Sequence, residues 1–151
     1  MLQRLGIYTY LVHVERTMTY TDVYNRNGES RGSALVPYLH SRTIDQLKHN
    51  SEIVGTVVSS IFQISKDQIF SPHRGKASVA FARQIAMYLT HITCGHSYTD
   101  IGGFFGRDRT TVSHACQLIE DKREDPAIDW SLDLMEHSVL SLIKQFQKWN
   151  G

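Results

Sequence analysis

The sequence predicts an all-α protein, and three observations carry that expectation. Apolar residues recur at three-and-four spacing over most of residues 43–149, the period of a helix with one buried face. Cap and stop signals punctuate those runs: Ser65, Ser97 and Asp108 precede helical stretches, Gly106 follows one, and Pro126 opens another. The stretch Ser97–Arg123, SYTDIGGFFGRDRTTVSHACQLIEDKR, reads as two short helices joined by a tight turn.

Length and composition fit that class. The chain has 151 residues, enough for one domain with an arm, and its 41% apolar content suffices for a core. No apolar run approaches a membrane span, and His13, Glu15 and Arg16 interrupt any signal-peptide core near the start. Two cysteines, Cys94 and Cys116, are too few for a disulfide framework, so a reducing cytoplasm is expected. A formal net charge of +1 argues against a general polyanion binder. Its distribution is more telling. Residues 71–123 carry seven Lys and Arg against four Asp and Glu, whereas residues 124–151 carry five acidic residues against two lysines. The cationic face is therefore expected on the central helices.

Residues 1–41 are read as an N-terminal arm, either unstructured or a β-hairpin. Ile7–Val14 is rich in β-branched and aromatic residues, and Asn25–Gly32 has turn composition. Residues 42–150 are read as the domain. A helix is expected over Thr43–Phe62, with Ile44, Leu47, Ile53, Val54, Val57, Val58, Ile61 and Phe62 on its apolar stripe. Gly55 leaves open whether it is one helix or two. Ser65 with Gln68 resembles a capping box opening one turn that buries Ile69 and Phe70, and Pro72 closes it. The basic loop His73–Lys76 then leads into a strong helix carrying Ala82, Ile85, Ala86 and Leu89. A glycine-containing basic loop at a helix N-terminus can hold a phosphate through backbone N–H groups.

The central segment is the most legible. Ser97 caps a helix with Asp100 completing the box; Ile101, Phe104 and Phe105 form its apolar face, and Gly106 ends it. Asp108 starts a second helix whose buried face is Val112, Ala115, Cys116 and Ile119. Arg109, Thr110, Ser113 and His114 are left on the outer face. A polar helix start held by a preceding helix is how a helix-turn-helix presents side chains to the major groove. After Asp125, Pro126 opens a last helix striped by Ile128, Leu132, Met135, Val139, Ile143 and Phe146, with Trp149 beyond. Core packing is the ordinary use of that stripe, and a dimer or partner face is the other.

These residues also carry a resemblance. ARQIAMYL, HSYTDIG and GRDRTTVSHAC are similar to the C-terminal DNA-binding domain of the bacterial replication initiator DnaA, over about Ile44–Arg123. The resemblance implies a helix-turn-helix of the Trp-repressor-like type and duplex DNA as ligand. It implies that a basic loop, here with Arg74 first and Lys76 second, reaches into the minor groove. Arg83, within the ARQIAMYL match, is read as either a surface ion pair or a phosphate contact. Two departures stand out: a single glycine, Gly106, precedes the Arg-Asp pair where the family has two, and Arg109 replaces the family's His.

Other chemistry finds little support. Gly75-Lys76 is followed by Ala77 and lacks the upstream glycine of a phosphate-binding loop, so the initiator's ATPase module is expected to be absent. Cys94, His96, His114 and Cys116 are the nearest thing to a metal set, but each pair is separated by a single residue, whereas zinc ligands usually sit two to four apart. No enzyme activity, cofactor or metal is expected. The expected function is sequence-specific duplex DNA binding at DnaA-box-like sites, regulating replication initiation in the cytoplasm on the nucleoid, as a monomer on DNA. Arg109, Thr110 and His114 are placed at base edges, with Asp108 opening the inserted helix. Tyr98, Thr99, Arg107, Thr111 and Ser113 are placed at phosphates or sugars. The alternatives are a transcriptional regulator with the same reading head, or an adaptor that binds DnaA or other initiation proteins.

Overall fold

Helical spacing resolves into six α-helices among the described residues, 36–150, of a computed structural model of the chain. They are α1 (Val36–Phe62), α2 (Lys66–Phe70), α3 (Ala77–Cys94), α4 (Tyr98–Phe105), α5 (Arg109–Lys122) and α6 (Pro126–Asn150). The fold is all-α. The arm expected over 1–41 falls, as far as residue 35, outside the described residues. α1 starts at Val36 and so runs through the 41/42 boundary.

α3 is the axis. Ala82, Ile85, Ala86, Met87, Tyr88 and Leu89 are all buried, which takes apolar contact on nearly every side. α2, α4, α5 and α6 each pack on it, and α1 adds Leu47, Ile53, Val54, Val57 and Val58 to the same core. Gly55 does not divide α1; its bare backbone lies against the Phe70 ring, and the helix continues to Phe62. Two positions expected on the α1 stripe are instead exposed, Ile44 and Ile61. Ile61 lies in the last turn of the helix, and Ile44 about two turns in from its start.

The local signals act as their chemistry suggests. Ser65 Oγ accepts from the Gln68 N–H and opens α2, which buries Ile69. Ser97 Oγ accepts from the Asp100 N–H at 3.1 Å and donates to Asp100 Oδ2 at 2.6 Å. Asp125 Oδ1 accepts from the Ala127 N–H, so Pro126 occupies the first turn of α6, where no N–H is needed. The α6 stripe is buried at Leu132, Met135 and Val139 only. Phe146, expected on it, is exposed and stacks edge-on to His49 of α1, and Trp149 is 82% exposed.

Candidate DNA interface

The helix-turn-helix is α4, a three-residue turn and α5. Gly106 ends α4 at φ 61, returning its N–H to the Gly102 carbonyl, and the Arg107 N–H bonds the same oxygen at 2.8 Å. Gly102 is the tight point: a Cβ there would meet the Arg107 carbonyl oxygen at 2.5 Å. Only a residue without a side chain lets α4 sit this close to the turn. Ile101 and Phe105 below, and Val112, Ala115, Cys116 and Ile119 of α5, are buried and hold the two helices together.

This geometry puts the expected base readers outside. Arg109, Thr110, Thr111 and His114 are exposed, and Ser113 is half-buried on the same helix. Asp108 has the extended backbone of an N-cap, but its carboxylate makes no capping bond. The first N–H groups of α5 and the Asp108 carboxylate therefore both remain open to a ligand. Gly102, Gly103, Gly106, Arg107, Asp108 and Thr111 line a shallow depression of about 400 Å³ beside that helix start. Thr99 is exposed on the first turn of α4. Tyr98, one turn-start residue away, is only half-exposed and tilts over the His91 ring at 4.4 Å, so its ring belongs to the domain wall as well as to the surface.

The basic loop lies alongside. His73, Arg74, Gly75 and Lys76 are all exposed, and neither Arg74, Lys76 nor Arg109 is in an ion pair among the described residues. Lys76 occupies the N-cap of α3 without a side-chain cap, which leaves that helix end open too. Arg107, expected at a phosphate, directs its guanidinium at the loop in the protein without DNA. Nη1 donates to the Pro72 carbonyl at 2.7 Å, and Nη2 makes longer bonds of 3.4 Å to the Ser71 and His73 carbonyls.

Arg83 corrects both readings offered for it. It is neither a surface ion pair nor a phosphate contact but a buried strut, 5% exposed, donating to the carbonyls of Ile69 at 2.7 Å and Gln68 at 2.8 Å. It satisfies the free carbonyl end of α2. Burial, with the nearby Arg107 charge adding to it, lowers its pKa. A signal was present: Val79, Ala82, Arg83 and Ala86 share one helical face, so the arginine falls on the buried stripe.

Two further polar anchors were not legible in the sequence. Buried Asn50 of α1 hydrogen-bonds the His96 ring at 3.2 Å, while His91 Nδ1 contacts the His96 carbonyl at 2.9 Å. Burial lowers the His96 pKa, and Asp100 partly opposes this. Arg123, whose side chain is 8% exposed, donates to Tyr88 Oη, Asp129 and Asp133 and forms an ion pair with Glu136. Tyr88 in turn donates to Glu120 at 2.6 Å. Lys122 lies over the Phe81 ring. Among the described residues no three His, Cys, Asp or Glu side chains converge to hold a metal. Burial pushes the thiols of Cys94 and Cys116 up to about 11, which makes them poor nucleophiles and poor ligands.

Comparison with known proteins places this head. The family described as the bacterial dnaA protein helix-turn-helix matches residues 51–119. The chain contains a helix-turn-helix domain of the bacterial DnaA C-terminal type. Chromosomal replication initiator DnaA proteins are its relatives. That of Bifidobacterium animalis is 48% identical over 69 residues, covering 45% of this chain and 12% of the relative. That of Lachnoclostridium phytofermentans is 38% identical over 86 residues, 56% of this chain and 19% of the relative. That of Treponema denticola is 39% identical over 95 residues, 62% and 19%. The chain thus matches less than a fifth of each of these initiators. No solved structure matches. The matched span of the DnaA-type domain ends at Ile119, so Arg123 and α6 lie beyond it. No described helix is long and apolar enough to cross a membrane.

Proposed function

We propose that the protein binds duplex DNA sequence-specifically through this DnaA-type domain, at sites related to DnaA boxes, and regulates replication initiation by competing with or assisting an initiator. The observation that carries the reading is the first turn of α5, where Arg109 and Thr110 stand exposed and uncommitted on a helix start fixed by Gly102 and Gly106. In the major groove, Arg109 has the planar fork that guanine O6 and N7 accept, and the methyl of Thr110 suits a thymine methyl. His114, one turn further along α5, reaches a neighbouring base edge. Asp108, free of capping, can accept from a cytosine amino group. Thr99, Thr111 and Ser113 flank these residues at phosphate distance from the groove, with Tyr98 and Arg107 at the margin. Arg74 and Lys76 supply a second contact in the minor groove. The protein would work on the chromosome, in the cytoplasm, as a monomer.

Selection of bound duplexes from a random pool, followed by titration at two salt concentrations, tests this. A recovered consensus with salt-dependent affinity is expected. A second reading, an adaptor of the initiation machinery, has one observation in its favour: Trp130, Leu134 and Trp149 of α6 are exposed. An adaptor with an idle reading head would recover no consensus and show no salt-dependent specific binding.

A further inference from the structure

Arg107 points away from the role its neighbours share. Its planar group faces three successive backbone carbonyls, of Ser71, Pro72 and His73, across 34 to 36 residues of sequence. The same stretch of chain is held from its other end by Arg83, whose guanidinium takes the carbonyls of Gln68 and Ile69. Two arginines thus clamp a nearly continuous row of carbonyls from 68 to 73. Burial and the neighbouring Arg107 charge both lower the Arg83 pKa, so the arrangement brings the two cations close despite their repulsion. The turn and the loop also lie close together: a Cβ added to Gly106 would come within 3.6 Å of Pro72 Cβ. On its far side the loop folds onto the first turn of α3, where Gly75 has no room for a side chain against Val79. Arg74 and Lys76 follow immediately after the clamped carbonyls, and Arg109 follows two residues after Arg107.

We infer that Arg107 is a positioning residue: it latches the basic loop to the turn of the helix-turn-helix, fixing the spacing between the loop cations Arg74 and Lys76 and the reading residues Arg109 and Thr110. The inference rests on the DNA-binding reading for its consequence, but the latch itself exists without DNA. A lysine at 107 would keep the charge and lose the fork that spans several carbonyls. A phosphate contact needs mainly the charge, whereas a latch needs the fork, so Arg107→Lys separates the two.

Two measurements test it. In the free protein, trypsin cleaves after Arg74 and Lys76 only when the loop opens. Arg107→Lys is expected to raise that rate about tenfold, the equivalent of one charged hydrogen bond, with the thermal midpoint nearly unchanged. An unchanged cleavage rate overturns the latch whatever the protein does with DNA. On the selected duplex, Arg107→Lys should weaken binding about tenfold in the wild-type background and less than about twofold when Arg74 and Lys76 are already alanine. Equal losses in both backgrounds, or full retention of binding by the lysine variant, would make Arg107 a direct phosphate contact. A wild type that recovers no duplex, yet shows the change in cleavage, refutes the DNA reading and leaves the latch standing.

Discussion

On the proposed reading, Arg109 is the residue on which specificity turns. It follows the N-cap Asp108 on the exposed first turn of α5, with no partner in an ion pair among the described residues. Arg109→Ala is expected to cost roughly 1–3 kcal/mol on the selected site and to relax discrimination at one base pair. Equal loss on all duplexes, read by competition, would reassign it to the phosphates and move specificity to Thr110 and His114. The DnaA resemblance places a histidine at this position, so Arg109→His should shift preference toward the initiator's own site. Two glycines beneath it behave oppositely. Gly102→Ala drives a methyl into the Arg107 carbonyl, a backbone atom that cannot swing aside, and should destabilise by about 1–3 kcal/mol. Gly103→Ala meets nothing within 4 Å on an exposed helix face and should be neutral or stabilise by up to about 1 kcal/mol. Urea midpoints of the two variants, moving in opposite directions, check the pair.

At the scale of elements, polar groups decide how the helices are tied. α2 has only five residues, too short to persist alone, and Arg83 caps its carbonyl end from within the core. The junction between α3 and α4 is tied to α1 through the Asn50–His96 bond. Desolvation lowers the His96 pKa below its ordinary 6.5, with the Asp100 carboxylate on α4 opposing and the His91 ring adjoining through the backbone. A group whose folded pKa is depressed contributes stability that is complete above its unfolded value and is lost as pH falls through the folded one. The thermal midpoint should therefore drop as pH is lowered from about 7.5 to 5, and drop less in His96→Gln. Parallel pH curves for the two proteins would show that His96 contributes no such dependence.

For the molecule as a whole, Arg123 is the fastening between the helix-turn-helix and α6. It gathers Asp129, Asp133 and Glu136 from successive turns of that helix and Tyr88 from α3, with a side chain only 8% exposed. Burial alone would lower its pKa; the bonds to Asp129 and Tyr88 outweigh that and raise it. Arg123→Ala leaves these carboxylates crowded without a cation and should destabilise by about 3–5 kcal/mol. Asp133→Asn, at a carboxylate half open to solvent, should cost less than about 1 kcal/mol. Denaturant unfolding of both variants measures the contrast; similar losses would mean that packing of Leu132, Met135 and Val139, rather than Arg123, attaches α6.

Local chemistry along the chain determined much of this protein by itself. Ser65, Ser97, Gly106 and Pro126 act through groups within a few residues of themselves, so caps and stops could be placed from sequence. The same holds for the buried face of α5, because helical period alone separates Val112, Ala115, Cys116 and Ile119 from Arg109, Thr110 and His114. The tertiary structure decided what depends on partners far along the chain. Helical period puts Arg83 on a buried stripe but names no partner for it or for Arg107; one is held under α2 and the other turned onto the loop, through carbonyls 14 to 36 residues away. Ile44 and Phe146 share the period of the core but stand about half exposed, Phe146 with its ring edge-on to His49 of α1. Periodicity fixes the face on which a side chain stands; only the packing of distant elements fixes whether that face meets the core, another charge or water.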